Sequence, residues 1–266
     1  MRKDYSPKTR KQNKKDWQRK KAAKSGAILY GKNSILERVR TNPSSIKKVY
    51  YRDTFKEKGL LNRLEGKGIP LEEVTESKLM RLKRADRLQG IVAEVETFQY
   101  TEIEELVADA LEEKRTILCL DSISDPHNFG ALLRICACFG GFSVAIPRYS
   151  ACEVNDTVMH VASGGENYVP VCMVNNLMTV LEVAKQNDFT IAGTIVEQGE
   201  DLNNVALPFP LCLVLGSEGK GIRHGLKKYC DLSLRIPMRG ANLSFNVAIA
   251  GAIFCHEINK QRESSL

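Results

Sequence analysis

Three short runs constrain this chain most. "TILCLD" (116–121), "FSVAIP" (142–147) and "LCLVLG" (211–216) are apolar at nearly every position. A strand with one wet face alternates between apolar and polar. A continuous apolar run of this length suits a strand buried on both faces, and such strands belong to parallel sheets covered by helices. Between the first two, "NFGALLRICACFG" reads as a helix ending at the pair Gly140-Gly141. "YVPVCMV", "FTIAGTIV" and "LSLRIP" add further strands, and "NLMTVLEVAKQN" and "SFNVAIAGAIFCHEINK" add helices. The pattern predicts an open parallel α/β sheet. Ligands of such sheets sit beyond the carboxyl ends of the strands, so the strand ends are where chemistry is to be sought.

The front of the chain alternates too, over a shorter span. An amphipathic helix with Ile35, Leu36 and Val39 on one side follows Gly31 and Asn33. Then come "IKKVYY", "KGLLNRLEGKG", "IPLEEV", "SKLMRLK" and "QGIVAEVETF", read as strand, helix, strand, helix, strand. This predicts a small α/β domain over 25–98, an acidic linker helix over 99–113, and the larger domain over 114–266. Residues 1–24 carry eleven Lys and Arg against Asp4 and Asp16, so this tail is +9 and the rest of the chain −2. With almost nothing apolar to bury it is expected to be disordered alone, and its charge suits a polyanion such as RNA. The chain has no apolar run of eighteen residues and no signal-type apolar core near its start, which predicts no membrane association. Its eight cysteines form no CxxC pair, and several sit in apolar contexts, as buried thiols do in a reducing cytoplasm. No ligand spacing for a metal is present.

Three loops stand out. "DSISDPHNFGALLR" (121–134) ends a strand at Asp121, turns at Asp125-Pro126, and offers Asn128 as a cap for the following helix, with Gly130 permitting a close approach. Arg134 lies six residues after Asn128, and both are expected toward the helix N-terminus, where a phosphate is favoured. "LVLGSEGKGI" (213–222) is a Gly-rich strand end holding one carboxylate, Glu218. It fails the P-loop pattern because Gly221, not Ser or Thr, follows Lys220, and its glycines miss the dinucleotide spacing. A generic nucleotide-binding dehydrogenase is disfavoured for that reason. "IPMRGANLSFNVAIA" (236–250) opens the last helix with Asn242, Ser244 and Asn246. Ser244 as N-cap would account for one of the three.

In this order, "DPHNFGALLR", "LVLGSEGKGI" and "IPMRGANLSFNVAIA" resemble the three signature motifs of the SpoU/TrmH family, SPOUT-class RNA ribose 2′-O-methyltransferases. The front half is similar to that family's accessory substrate-binding domain through "LYGKNSILERV" and "RLQGIVAEV", with Leu88 where many relatives carry His. The resemblance implies a C-terminal α/β fold tied in a deep trefoil knot and a homodimer. It also implies methyl transfer from S-adenosylmethionine to a ribose 2′-hydroxyl, with no metal. A guanosine in large-subunit ribosomal RNA is the favoured substrate. Transfer RNA, or a non-catalytic RNA-binding or ribosome-assembly role on the same fold, are the alternatives.

By motif match, the resemblance places Thr194, Gly216, Ile236 and Phe245 at the cofactor, with Phe245 standing where relatives usually have Leu. It makes Arg134, Asn128, Glu218, Ser244 and Asn246 the catalytic set. An Arg side chain is very hard to deprotonate, so Arg134 is read as a cation that holds a phosphate and stabilises the forming alkoxide, rather than as a base. His127, His160, His224 and His256 do not form a catalytic set by spacing.

Overall fold

The computed structural model describes residues 26–85, 88–196, 198–217, 219–240 and 243–264. The basic tail 1–24, Glu218 and Asn242 lie outside the described residues. The chain separates between Gln99 and Tyr100 into two compact units.

The first unit runs β1 (Ala27–Tyr30), α1 (Lys32–Thr41), β2 (Ile46–Tyr51), α2 (Lys58–Gly66), β3 (Leu71–Glu73), α3 (Glu76–Leu82) and β4 (Ile91–Val95). Its sheet has the order β1-β4-β2-β3, with β4 antiparallel to both neighbours and β2 parallel to β3. Strand β1 is a sequence miss. Four residues between glycines show too little alternation to be read, and pairing with β4 (Ala27 opposite Val95) makes them a strand. Leu88 is buried among Tyr30, Tyr50, Val74, Leu79 and Val92. This chain therefore uses the position as aliphatic core.

The second unit carries β5 (Thr116–Asp121), β6 (Phe142–Pro147), β7 (Val171–Val174), β8 (Thr190–Thr194), β9 (Glu200–Asp201), β10 (Leu211–Gly216) and β11 (Leu232–Arg235). All pairings are parallel, in the order β7-β6-β5-β10-β8-β11-β9. Every residue of β5 and β6 is buried, as the continuous apolar runs require. The helices among the described residues are α4 (Ile103–Glu112), α5 (Pro126–Phe139), α6 (Asp156–Ala162), α7 (Leu177–Gln186), α8 (His224–Lys227) and α9 (Val247–Ser264). One core gathers Leu106 and Val107 of α4, Val180 and Leu181 of α7 and Leu226 of α8 against Ile117, Cys119, Ile191 and Val214. Full burial of a Leu or Ile side chain contributes about 1.5–3 kcal/mol, so a cluster of this size settles which face α4 and α7 cover. Helix α9 packs on α5 and β10.

From Tyr100 onward the chain belongs to the second unit. The Tyr100 hydroxyl accepts the Val154 N–H at 2.9 Å, and the Thr101 N–H donates to the Val171 carbonyl at 2.8 Å. Helix α6 is a second sequence miss. It lies against α5 at Gly130, where a Cβ would come within 2.8 Å of the Val158 carbonyl oxygen. The glycine thus admits a helix backbone and not a ligand. All eight cysteines are free thiols, and five of them are buried. Among the described residues no helix is long and apolar enough to cross a membrane.

Candidate functional site

A cavity of about 350 Å³ opens at the carboxyl ends of β8, β10 and β11. From β5 the sheet grows outward through β6 and β7, and then the chain returns to build β8, β10 and β11 on the other side, so the connections reverse direction between β5 and β10. The cavity lies on the returning side, next to the crevice that such a reversal opens at the strand ends. Thr194 comes from the end of β8, Gly216 from the end of β10 and Ile236 from just past β11, while Ser244 and Phe245 precede α9. All five line the cavity. Leu215, Ile222, Val247 and Phe254 complete apolar walls, and Lys220 and Lys227 are charged residues in the lining. The volume falls in the range of small-molecule sites.

The floor is the 216–223 loop folded back on itself. The Gly221 N–H donates to the Ser217 carbonyl at 2.9 Å, and both Gly219 and Gly221 have positive φ. A Cβ on Gly216 would stand 2.2 Å from the Gly221 carbonyl carbon and 2.3 Å from the Ile222 nitrogen. No side chain fits there, so the glycine is demanded by the loop's own backbone.

The loop is anchored by Asp121, which sequence reading noted only as a strand end. Asp121 is fully buried and stands opposite Gly216 in the β5–β10 ladder. One carboxylate oxygen accepts the Arg223 backbone N–H at 2.8 Å. The other accepts the Arg223 Nε–H at 2.6 Å and the Ser122 hydroxyl at 3.1 Å. The signal that marks Asp121 is a lone acid closing an otherwise apolar, fully buried strand. Such a group requires partners.

The polar opening of α9 divides its work differently from the expectation. Ser244 is not the N-cap. The Asn246 side-chain carbonyl accepts from the N–H groups of Ala248 (2.9 Å) and Ile249 (3.4 Å). Its amide nitrogen donates to Asn128 Oδ1 at 2.9 Å, across 118 positions of sequence. Asn128 likewise does not cap α5. Asp125 does, accepting the His127 N–H at 2.9 Å, with Pro126 in the first turn. The earlier acid wins because the proline, which lacks an N–H, suits the first helical position and sets the cap three residues upstream of Asn128.

Arg134 is exposed and lies well into α5, rather than at its N-terminal end. Its Nη1 donates to Ser163 Oγ at 3.4 Å. Ser163 ends α6 in the left-handed region (φ 53°). The following segment presses on α5 so closely that a Cβ on Gly165 would stand 2.9 Å from the Arg134 Cα. Asn128 and Arg134 therefore share a helix but bond to different partners, Asn246 and Ser163. Glu218 lies outside the described residues. Among those described, no group of three or more His, Cys, Asp or Glu is placed to hold a metal ion.

The pattern of the SpoU rRNA methylase family matches residues 115–256, and that of the RNA 2′-O ribose methyltransferase substrate-binding domain matches residues 28–101. The 23S rRNA (guanosine-2′-O-)-methyltransferase RlmB of Bordetella pertussis is 34% identical over 242 residues, covering 90% of this chain and 99% of that protein. RlmB of Nitrosomonas europaea is 34% identical over 237 residues, covering 88% of this chain and 91% of that protein. Among solved structures, the SpoU methyltransferase AviRb of Streptomyces viridochromogenes superposes with a TM-score of 0.75 at 21% identity, over 93% of each chain.

Proposed function

Because this chain belongs to the SpoU rRNA methylase family, we propose that it is an S-adenosylmethionine-dependent RNA methyltransferase acting on a ribose 2′-hydroxyl. Its substrate in this reading is a guanosine of large-subunit ribosomal RNA, the substrate named for its RlmB relatives. The observation that carries the reading is the gathering of Thr194, Gly216, Ile236, Ser244 and Phe245, from three separate stretches of sequence, around one cavity. The walls suit the donor: apolar side chains for a purine and ribose, backbone amides of a folded loop, and lysines near a charged amino-acid arm. When bound, S-adenosylmethionine supplies a methyl group already activated on a sulfonium. The loops around it are the segments that the family ties into a trefoil knot.

The protein's own task is then to hold the ribose oxygen in line and to stabilise the charge that develops on it. Arg134 does this with a permanent cation. Its guanidinium holds the phosphate beside the target ribose and faces the forming alkoxide, and the exposed position leaves it accessible to RNA. Asn128 and Asn246 brace α5 against α9, which sets Arg134 relative to the cavity. Ser244, in the cavity lining, hydrogen-bonds the substrate or the loop. Glu218 is assigned by motif match alone, as a partner of Arg134 or of a loop amide.

The first unit binds the RNA, in keeping with the substrate-binding pattern over 28–101, and the basic tail adds electrostatic affinity. The protein works as a homodimer in the cytoplasm. Leu243 and Ile249, 70% and 53% exposed beside the site, offer apolar surface for a second copy.

The test is direct. The purified protein is incubated with labelled S-adenosylmethionine and protein-free 23S rRNA or transfer RNA, and methylated riboses are mapped. Label on a 23S guanosine 2′-oxygen is expected. Label on transfer RNA alone would move the substrate, and no transfer to any RNA would end the reading.

A further inference from the structure

The buried carboxylate of Asp121 is placed where neither proton transfer nor substrate contact requires it. It does not line the cavity, yet its residue meets both ends of the loop that forms the cavity floor, one through the backbone and one through the carboxylate. At one end Gly216 is tied to β5 by the ladder, with Asp121 as its register partner. At the other end Arg223 reaches the same residue with its backbone N–H and its Nε–H. The segment 216–223 thus begins and ends at Asp121, its first residue by backbone register and its last by hydrogen bonds to a carboxylate 102 positions away in sequence.

Within this segment the backbone is intrinsically loose. Gly216, Gly219 and Gly221 are three of its eight residues, and glycine loses more conformational freedom on ordering than any other residue. Among its described residues, the Gly221 N–H donates to the Ser217 carbonyl. Left to itself, such a loop would have to be ordered when a ligand arrives, and binding would be weaker by that cost. The carboxylate's environment fits a clamp. It is fully buried, and it accepts from three donors, one of them a guanidinium that is half exposed. Charge-assisted bonds of this kind are the strong ones. Ser122 takes the left-handed backbone conformation (φ 64°) immediately after Asp121, and its hydroxyl bonds back onto the carboxylate.

We infer that Asp121 and Arg223 are positioning residues, which hold the 216–223 loop in its donor-binding shape before the donor arrives. This rests on the cavity being the S-adenosylmethionine site. The prediction is a split between binding and chemistry. Arg223→Gln removes the Nε–H bond from a half-exposed side chain and should leave the fold intact. In the full chain, S-adenosylmethionine affinity measured by calorimetry should fall at least ten-fold, and KM for the donor should rise to match. The kcat on 23S rRNA should stay within three-fold. Without any ligand, hydrogen exchange at the amides of 219–223 should accelerate at least ten-fold, while β5 and β10 stay protected. Arg223→Lys, which keeps a cation but not the Nε geometry, should recover part of both effects. Asp121→Asn should go further in the same direction.

Unchanged loop exchange in Arg223→Gln would overturn the inference. So would unchanged donor affinity well below the melting temperature, or a fall in kcat at constant KM. A wild-type protein that binds no S-adenosylmethionine would instead overturn the reading of the cavity, and this inference with it.

Discussion

Asn246 bonds in two directions at once: its carbonyl oxygen caps α9 at the Ala248 N–H, 2.9 Å away, and its amide nitrogen reaches Asn128 of α5, also at 2.9 Å. One side chain fixes both where the last helix starts and how it meets the helix that carries Arg134. The two roles separate by substitution. Asn246→Ala loses both and should cost about 1 kcal/mol of stability, the usual worth of a cap. Asn246→Ser keeps a good capping oxygen but is too short to reach Asn128, so its stability should stay within a few tenths of a kcal/mol of wild type. Denaturant unfolding measures the first effect and methylation rate the second. Equal loss of methylation in both variants is expected. Full activity in Asn246→Ser would show that the link to Asn128 is only structural.

Arg134 is expected to matter to the reaction and not to donor binding. It does not line the cavity, and its side-chain bond to Ser163 is long, at 3.4 Å. Arg134→Ala should lower kcat by at least about 100-fold, as loss of a transition-state donor does, with S-adenosylmethionine affinity within a few-fold of wild type. Arg134→Lys keeps the charge without the planar fork and should recover only part. Single-turnover methylation and calorimetry together decide it. Wild-type turnover in Arg134→Ala would refute the role.

Gly216→Ala tests the floor of the cavity. A methyl group there would meet the Gly221 backbone at 2.2 Å, and backbone atoms held in a folded loop cannot yield as a side-chain tip would. Donor affinity should fall at least about ten-fold, which corresponds to 1.4 kcal/mol. Gly225→Ala serves as control, since its added carbon would meet only the Met178 sulfur at 4.0 Å. Equal affinities in the two variants would show that the loop adapts.

Tyr100 provides a pH signature. Burial is the main cause that pushes its phenol up to about 12, although the hydrogen bond from the Val154 N–H acts the other way. The unfolded chain releases this proton near pH 10. The stabilisation is therefore fully present below about pH 10 and is lost as pH rises toward 12. Ultraviolet titration of wild type against Tyr100→Phe should show one tyrosine with a midpoint near 12, and the variant's stability should fall less steeply above pH 10. A difference midpoint near 10 would contradict the burial.

Much of the fold could be read from local pattern. The runs 116–121, 142–147 and 211–216 announced a buried parallel sheet because each is apolar on both faces. The unusual residues at strand ends fall in the loops that line the cavity. Elements too short for a pattern escaped: β1, β9 and α6 are two to seven residues long, and packing partners distant in sequence stabilise them. Capping was misread twice for a related reason. Ser244 and Asn128 are residue types that cap, but so are Asn246 and Asp125, and the local sequence does not rank competing caps.

By itself the sequence determined the alternation of buried strands and helices, the Gly-rich and amide-rich motifs at strand ends, and the concentration of positive charge in residues 1–24. These are local properties of side-chain polarity and backbone freedom, and they act over a few residues. The tertiary structure decided what Asp121, Asn128 and Arg134 touch. Their partners lie 102, 118 and 29 positions away, and no local periodicity encodes such a pairing. Only the order of strands in the sheet brings Asp121 beside Gly216 and closes the loop over it.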